Sequence, residues 1–136
     1  MFKSIAVTTG ILIALVAFGY FLVSGIGKSI SSDLSVIGKG KPVLVLAYEN
    51  YSLNGGEALN RLSKIRSDYD SRLDFVVADM GTPEGHMFTS RYKLFDGQAL
   101  LLKQDGRPLS VIGIPSEEKE LRRLLETKLV VLEGNK

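Results

Sequence analysis

The sequence predicts an α/β domain preceded by one N-terminal transmembrane helix, and three observations lead to this prediction. The chain opens with a long uncharged apolar run from Ser4 to Gly27. A continuously apolar stretch of strand length, Pro42–Tyr48, is followed by a short polar turn and then by apolar residues at helical spacing. Two further apolar stretches flank Asp105-Gly106, a strong hairpin signal. The predicted order of elements after the membrane helix is β-α-β-α-β-β-α.

We interpret residues 1–27 as a membrane anchor helix. Built as a helix, the uncharged run of residues 4–27 would be about 36 Å long, whereas the hydrocarbon core of a bilayer is about 30 Å thick. A cleaved signal peptide is the alternative, but its apolar region is normally about 7–15 residues long. Small residues could pack this helix against a second membrane helix, and they are Gly10, Ala14, Ala17 and Gly19.

Residues 28–41 are predicted to form a linker, because Ser, Gly and Lys dominate there and favour a flexible or loosely ordered chain. The alternative is a partner-binding segment that uses Ile30, Leu34, Val36 and Ile37. The folded domain is predicted to comprise residues 42–132, and residues 133–136 are predicted to be a short tail.

The charge balance and the lack of cysteine exclude several classes of function. The chain has 17 Lys and Arg against 15 Asp and Glu, so its formal net charge is +2. A nearly neutral protein has no strong field to attract nucleic acid, and we expect no nucleic-acid partner. Because the chain has no Cys, disulfides, thiolate metal sites and thiol chemistry are excluded within it. No cofactor and no small-molecule substrate is indicated.

The first strand and the first helix form the centre of the predicted domain. Strand Pro42–Tyr48 is apolar throughout, which is typical of a central strand covered on both faces. Asn54 is predicted to cap the following helix, with Glu57 at capping-box spacing. The helix ends near Tyr69, and its buried stripe is predicted to be Ala58, Leu62, Ile65 and Tyr69.

The remaining elements are predicted to complete one sheet with helices on it. The second strand follows the first helix at βαβ length, so it should lie parallel to the first strand. In chain order, the predictions are strand Leu73–Asp79, helix Glu84–Tyr92, strands Gln98–Gln104 and Pro108–Ile114, and helix Glu117–Val131. The buried stripe of the last helix is predicted to be Leu121, Leu124, Leu125 and Leu132.

Several of these residues together resemble a thioredoxin domain. The similar features are Pro42-Val-Leu-Val, the helix ending in Ser67-Asp-Tyr, the Gly81-Thr-Pro-Glu turn before a short helix with Tyr92, the strand Leu100-Leu-Leu, Asp105-Gly106 and Val111-Ile-Gly113. The resemblance covers about residues 42–132. It implies a minimal thioredoxin-like β-α-β-α-β-β-α sandwich, without the family's additional N-terminal strand and helix.

The resemblance places no thiol at the positions of the family's active site. The Trp-Cys-x-x-Cys motif of the family falls on residues 51–55, so that Ser52 and Gly55 stand where the two thiols would be. Dithiol exchange needs both sulfur atoms. The resemblance therefore implies a protein that is not a dithiol oxidoreductase, and we predict no catalytic residue.

Two further features of the family are also missing. The buried acidic residue that assists proton transfer and its lysine partner match Leu46 and Val77, which are plain core residues. The cis-proline that faces the family's active site falls on Gln98 or its neighbour Gly97. The resemblance thus implies that the whole chemical apparatus is gone.

Other chemistry has little support in the sequence. Asp79, Glu84 and the single histidine, His86, could form a metal or acid–base site, but a lone surface histidine beside a turn is the better interpretation. Ser52 has no histidine near it in sequence to act as its base. Gly55-Gly56 could bind an anion at a helix N-terminus, but no phosphate-loop spacing accompanies it. We therefore predict no metal site.

The residues around the vacant thiol positions are candidates for a partner-binding surface. The carboxyl end of such a strand is where ligands usually bind, and Tyr is enriched at protein interfaces. The predicted residues are Tyr48, Glu49, Asn50, Tyr51, Ser52, Leu53 and Gln98, with Met80 as a further candidate. Ordinary loop packing is the alternative.

These features predict a redox-inactive, membrane-anchored thioredoxin-like module that is an accessory subunit or assembly factor of a membrane protein complex. Its partners would be other membrane protein subunits and, through residues 4–27, the lipid bilayer. Membrane-tethered members of the family usually work outside the cytoplasm, which implies a single-pass protein of the bacterial inner membrane with a periplasmic domain. Lys28, Lys39 and Lys41 leave a cytoplasmic orientation open. A chaperone-like holder of extracytoplasmic clients and an enzyme with partner-supplied thiols are the alternatives.

Overall fold

A computed structural model describes residues 29–134 of the chain. This part contains four strands and three helices, which follow a short 3-10 turn at Leu34–Val36. In chain order they are β1 (Val43–Tyr48), α1 (Leu53–Tyr69), β2 (Asp74–Asp79), α2 (Pro83–Arg91), β3 (Gln98–Leu102), β4 (Pro108–Gly113) and α3 (Glu118–Gly134). The predicted order β-α-β-α-β-β-α is confirmed.

The predictions on the membrane anchor lie outside the described residues. They concern residues 1–27, the uncharged run 4–27, and the small residues Gly10, Ala14, Ala17 and Gly19. Within residues 29–134, no helix combines the length and the apolar character that a membrane crossing requires.

The four strands form one sheet in the order β2-β1-β3-β4. Strands β1 and β2 are parallel, as predicted, whereas β3 is antiparallel to both β1 and β4. The carboxyl ends of β1 and β2 therefore meet the start of β3, and we call this the carboxyl end of the sheet. The opposite side, with the starts of β1 and β2 and the end of β3, is the amino end.

The sheet is covered on both faces, because the side chains of β1 alternate between two apolar cores. Leu44 and Leu46 lie in the core under α1 and α3, and Val43, Val45 and Ala47 lie in the other core. All five are buried, as predicted for a central strand. Burying an aliphatic side chain of the size of Val or Leu stabilises the fold by roughly 1.5–3 kcal/mol.

The two long helices bury the apolar residues that their spacing predicts, except for one residue of α3. In α1 the predicted residues Ala58, Leu62, Ile65 and Tyr69 are all buried. In α3 the buried residues are Leu121, Leu125, Leu129 and Leu132. Leu129 takes the place of Leu124, which is only partly buried. The buried residues follow one another at spacings of four, four and three, which keeps them on one face of the helix.

Helix α3 is longer than predicted and includes Glu133 and Gly134, which the sequence places in a tail. Arg72, in the turn between α1 and β2, holds this end of the helix. Its side chain donates hydrogen bonds to Glu126 and to Glu133, each across 3.0 Å. These bonds raise the pKa of Arg72, and the bond to Glu133 makes the largest contribution.

The segment before β1 packs on the domain, unlike the flexible linker predicted for it. Val77 donates its backbone N–H to the carbonyl of Ser31 across 2.9 Å, beside a parallel bridge from Ser31 to Val76. Leu34, Val36 and Ile37 are partly buried against the core that contains Val43. The Ser, Gly and Lys content suggests a loose chain, but these apolar residues fasten the segment.

Candidate functional site

The predicted binding residues come together at the carboxyl end of the sheet. Two loops meet there: residues 49–52, which join β1 to α1, and residues 92–97, which precede β3. The second loop and the turn after β2 are both fastened to β1. Gly97 donates its backbone N–H to the carbonyl of Ala47 across 2.9 Å. Met80 donates in the same way to Tyr48, also across 2.9 Å. The site is therefore built on the most buried strand of the fold.

The side chain of Asp96 joins these two loops. Its Oδ1 accepts a hydrogen bond from the backbone N–H of Glu49 across 2.7 Å, and its Oδ2 accepts one from Gly55 across 2.9 Å. Gly55 lies in the first turn of α1, where backbone N–H groups have no partner within the helix. A carboxylate at this position also complements the positive end of the helix dipole. Sequence reasoning missed Asp96, because its partners are far away in the chain.

The cap of α1 differs from the prediction. The helix begins at Leu53, so Asn54 lies inside its first turn and the prediction of Asn54 as the N-cap is wrong. Ser52 holds the cap position, but its side chain makes no capping hydrogen bond. Glu57 accepts from Arg61 across 3.1 Å instead of completing a capping box. The Asp96 carboxylate supplies the acceptor that a local cap would otherwise provide.

Close approach of the two loops leaves no space for a side chain at position 55. A Cβ atom added to Gly55 would lie 2.1 Å from Oδ1 of Asp96 and 3.2 Å from the ring of Tyr48. Gly97 is also constrained, because its φ is +85° and an added Cβ would lie 3.2 Å from Cβ of Asn54. The predicted alternative of an anion at Gly55-Gly56 also fails, since the chain's own carboxylate fills that position.

Three large apolar side chains in the joined loops, or at the helix residue directly after them, are exposed to solvent. Tyr51 is 97% exposed, Leu53 is 82% exposed and Phe95 is 73% exposed. We call these three residues the apolar patch. Phe95 was not among the predicted residues, although a large apolar residue directly before Asp96-Gly97 is an available signal. Clustered exposed apolar side chains commonly mark interaction surfaces.

The other predicted residues support the loops or face solvent. The Tyr48 hydroxyl donates to Oδ1 of Asn50 across 3.0 Å. Oε1 of Gln98 accepts from the backbone N–H of Phe95 across 2.9 Å, so this side chain braces the loop behind the patch. Glu49 is exposed, and its backbone N–H is bound by Asp96.

The remaining positions singled out in the sequence lie in the core or at the turn before α2. Leu46 and Val77 are buried neighbours in the register of β1 and β2. Asp79 shapes the turn before α2, where its Oδ1 accepts from the N–H of Gly81 across 2.8 Å. In the part of the chain from 29 to 134, no group of three His, Cys, Asp or Glu residues could hold a metal ion.

Comparison with known proteins finds similarity in structure but not in sequence. No model of a protein family and no curated protein matches the chain. The germline-specific thioredoxin Deadhead of Drosophila melanogaster has a TM-score of 0.55 and 18% identity, over 66% of this chain and 83% of that one. A thioredoxin of Fasciola hepatica has a TM-score of 0.54 and 12% identity, with the same coverage. The described part of this chain therefore has a thioredoxin-like fold.

Proposed function

We propose that this protein is a redox-inactive, membrane-anchored thioredoxin-like module that serves as an accessory subunit or assembly factor of a membrane protein complex. The main support is the arrangement at the start of α1. Ser52 and Gly55 stand where the resemblance expects the two thiols, and the chain contains no Cys. The Asp96 carboxylate occupies the space that a side chain at position 55 would need.

A binding role is supported by the apolar patch of Tyr51, Leu53 and Phe95. Leaving these side chains in water is unfavourable, and covering them would gain roughly 25 cal/mol per Å² of apolar area. Aromatic residues are enriched among the residues that dominate protein interfaces. The Asp96 hydrogen bonds hold the two loops in place before a partner arrives, which lowers the entropy lost on binding.

The membrane setting of the proposal rests on the uncharged run of residues 4–27. The proposed partners are other subunits of a membrane complex, reached from a single-pass anchor in a membrane of the bacterial inner membrane type. A periplasmic domain follows from analogy with membrane-tethered thioredoxin-like proteins. No cofactor or small-molecule substrate is part of the proposal.

The proposal is tested by extracting the tagged full chain from native membranes in mild detergent and identifying co-purified proteins by mass spectrometry. Three forms are compared: the natural protein, the double variant Tyr51→Asp with Leu53→Asp, and the control Asn60→Asp. Asn60 is exposed and lies on α1 two turns beyond Leu53, so Asn60→Asp introduces a negative charge away from the patch, where the double variant introduces two within it.

We expect one defined complex at fixed stoichiometry with the natural protein and with Asn60→Asp. The double variant should lose this complex while keeping its thermal midpoint. Many different clients at low occupancy would instead support a chaperone-like holder. A protein that purifies alone would contradict the accessory-subunit proposal and reopen the enzyme alternative.

A further inference from the structure

The first described residues leave the domain at the amino end of the sheet. Ser31 pairs in parallel with Val76, so residues that precede Ser31 continue toward the start of β2. The carbonyl of Ser29 accepts a hydrogen bond from Nη1 of Arg66 across 3.1 Å. Arg66 lies in the last turn of α1, which also ends at the amino end of the sheet.

Very little chain separates this fastened point from the uncharged run. In the sequence only Lys28 lies between Gly27 and Ser29. A single residue spans at most about 3.6 Å. If residues 4–27 cross a bilayer, the amino end of the sheet must lie next to the membrane surface, because residues 29–41 are bound to the domain and provide no long tether.

The amino end of the sheet also has the chemistry of a membrane-facing surface. Lys39 and Lys103 lie there, and neither forms an ion pair within 4.0 Å in the described part of the chain. Val130 and Val131, near the end of α3, are 65% and 46% exposed. Lysines beside exposed apolar side chains suit the headgroup region of a bilayer that contains anionic lipids.

The amino end also has carboxylates, but each of them is paired with a Lys or Arg side chain: Asp70, Asp74, Asp105, Glu126 and Glu133. The carboxyl end of the sheet differs, because within residues 29–134 its carboxylates form no ion pair within 4.0 Å. Glu49, Asp79, Glu84 and Asp96 place carboxylates around it, and such groups are repelled by anionic lipids. It lies about 20 Å from the amino end, since β1 has six residues and a strand rises about 3.3 Å per residue.

We propose that the amino end of the sheet rests against an anionic lipid bilayer and that the apolar patch points away from it. This orientation rests on the membrane anchor of the proposed function. In this orientation, a membrane partner contacts the apolar patch with a region of its own structure that lies outside the bilayer.

The orientation is tested by lipid quenching of fluorophores attached to single cysteines, which is unambiguous because the natural chain has no Cys. The full chain is reconstituted in vesicles of phosphatidylcholine and phosphatidylglycerol that carry spin-labelled headgroups. Ser71→Cys and Val130→Cys label the amino end, and Ser52→Cys and Tyr51→Cys label the carboxyl end. Ser71 and Ser52 form a matched pair with the same substitution.

We expect severalfold stronger quenching at positions 71 and 130 than at positions 52 and 51. Equal or reversed quenching would overturn the orientation. Failure of the full chain to float with vesicles would overturn both the orientation and the anchor. If the expected quenching is found but the complex survives the Tyr51→Asp and Leu53→Asp changes, the orientation stands and only the proposed docking at the patch fails.

Discussion

The Asp96 carboxylate accepts a hydrogen bond from the backbone N–H of Gly55 across 2.9 Å, although the two residues are 41 positions apart. The same carboxylate binds the N–H of Glu49. Two loops that flank the carboxyl end of the sheet thus share one side chain, and the start of α1 is closed by a group of the chain itself.

Replacing Asp96 with Ala should lower the free energy of unfolding by about 1–3 kcal/mol, because two backbone donors lose a charged acceptor. The measurement is denaturant unfolding of the full chain in detergent, followed by the near-ultraviolet signal of its tyrosines. Asp96→Asn retains one carbonyl acceptor and should lose less. Equal stability of Asp96→Ala and the natural protein would show that the carboxylate does not hold the loops.

Replacing Gly55 with Ala should destabilise the domain by about 1–3 kcal/mol, since the new methyl group overlaps the Asp96 carboxylate. Gly56→Ala is the matched control, because nothing lies within 4 Å of its added Cβ. This control should stabilise the helix by up to about 1 kcal/mol.

The two positions should also be coupled in a double-mutant cycle. In a protein that already carries Asp96→Ala, we expect Gly55→Ala to lose most of its destabilising effect, with a coupling free energy above about 0.5 kcal/mol. Additive losses would mean that the methyl group at position 55 collides mainly with something other than Asp96.

Installing cysteines at both thiol positions should not create an active dithiol exchanger. In Ser52→Cys with Gly55→Cys, the second side chain meets Asp96, and the buried pair Leu46 and Val77 offers no group for proton transfer. The measurement is reduction of a protein disulfide by the full chain in the presence of a thiol reductant. Turnover comparable to that of a thioredoxin would contradict the account of the vacant site.

Shortening the apolar side chains of the segment before β1 should destabilise the whole domain. Leu34→Ala or Ile37→Ala should each lower the free energy of unfolding by about 1–2 kcal/mol, because both side chains are partly buried against the core. Ser32→Ala, at an exposed position of the same segment, serves as the control. A loosely tethering linker would give no change for any of the three variants.

Local patterns were sufficient to predict most of the fold. The apolar run of β1 and the spacing of Ala58, Leu62, Ile65 and Tyr69 report directly on burial, and both were confirmed. The parallel β1–β2 pair followed from the length of the strand–helix–strand unit. These features depend on neighbours in sequence or on general rules of chain connection.

The features that sequence reasoning missed depend on contacts between distant residues. Asn54 has the residue type and spacing of an N-cap, but Asp96 reaches the helix from another loop. The end of α3 is bound by Arg72 from the α1–β2 turn, 61 residues from Glu133. Phe95 joins Tyr51 and Leu53 at the carboxyl end of the sheet because its neighbour Asp96 binds the backbone of residues 49 and 55.

The most direct test of the proposed docking surface is site-specific photo-crosslinking in intact cells. A photoreactive phenylalanine derivative replaces Tyr51, Leu53 or Phe95 in the patch, or Asn60 or Lys64 on the exposed side of α1 as controls. We predict a crosslink to one membrane protein from all three patch positions and none from the controls. Crosslinks from positions 60 and 64 without any from the patch would contradict the central claim that this surface binds the partner.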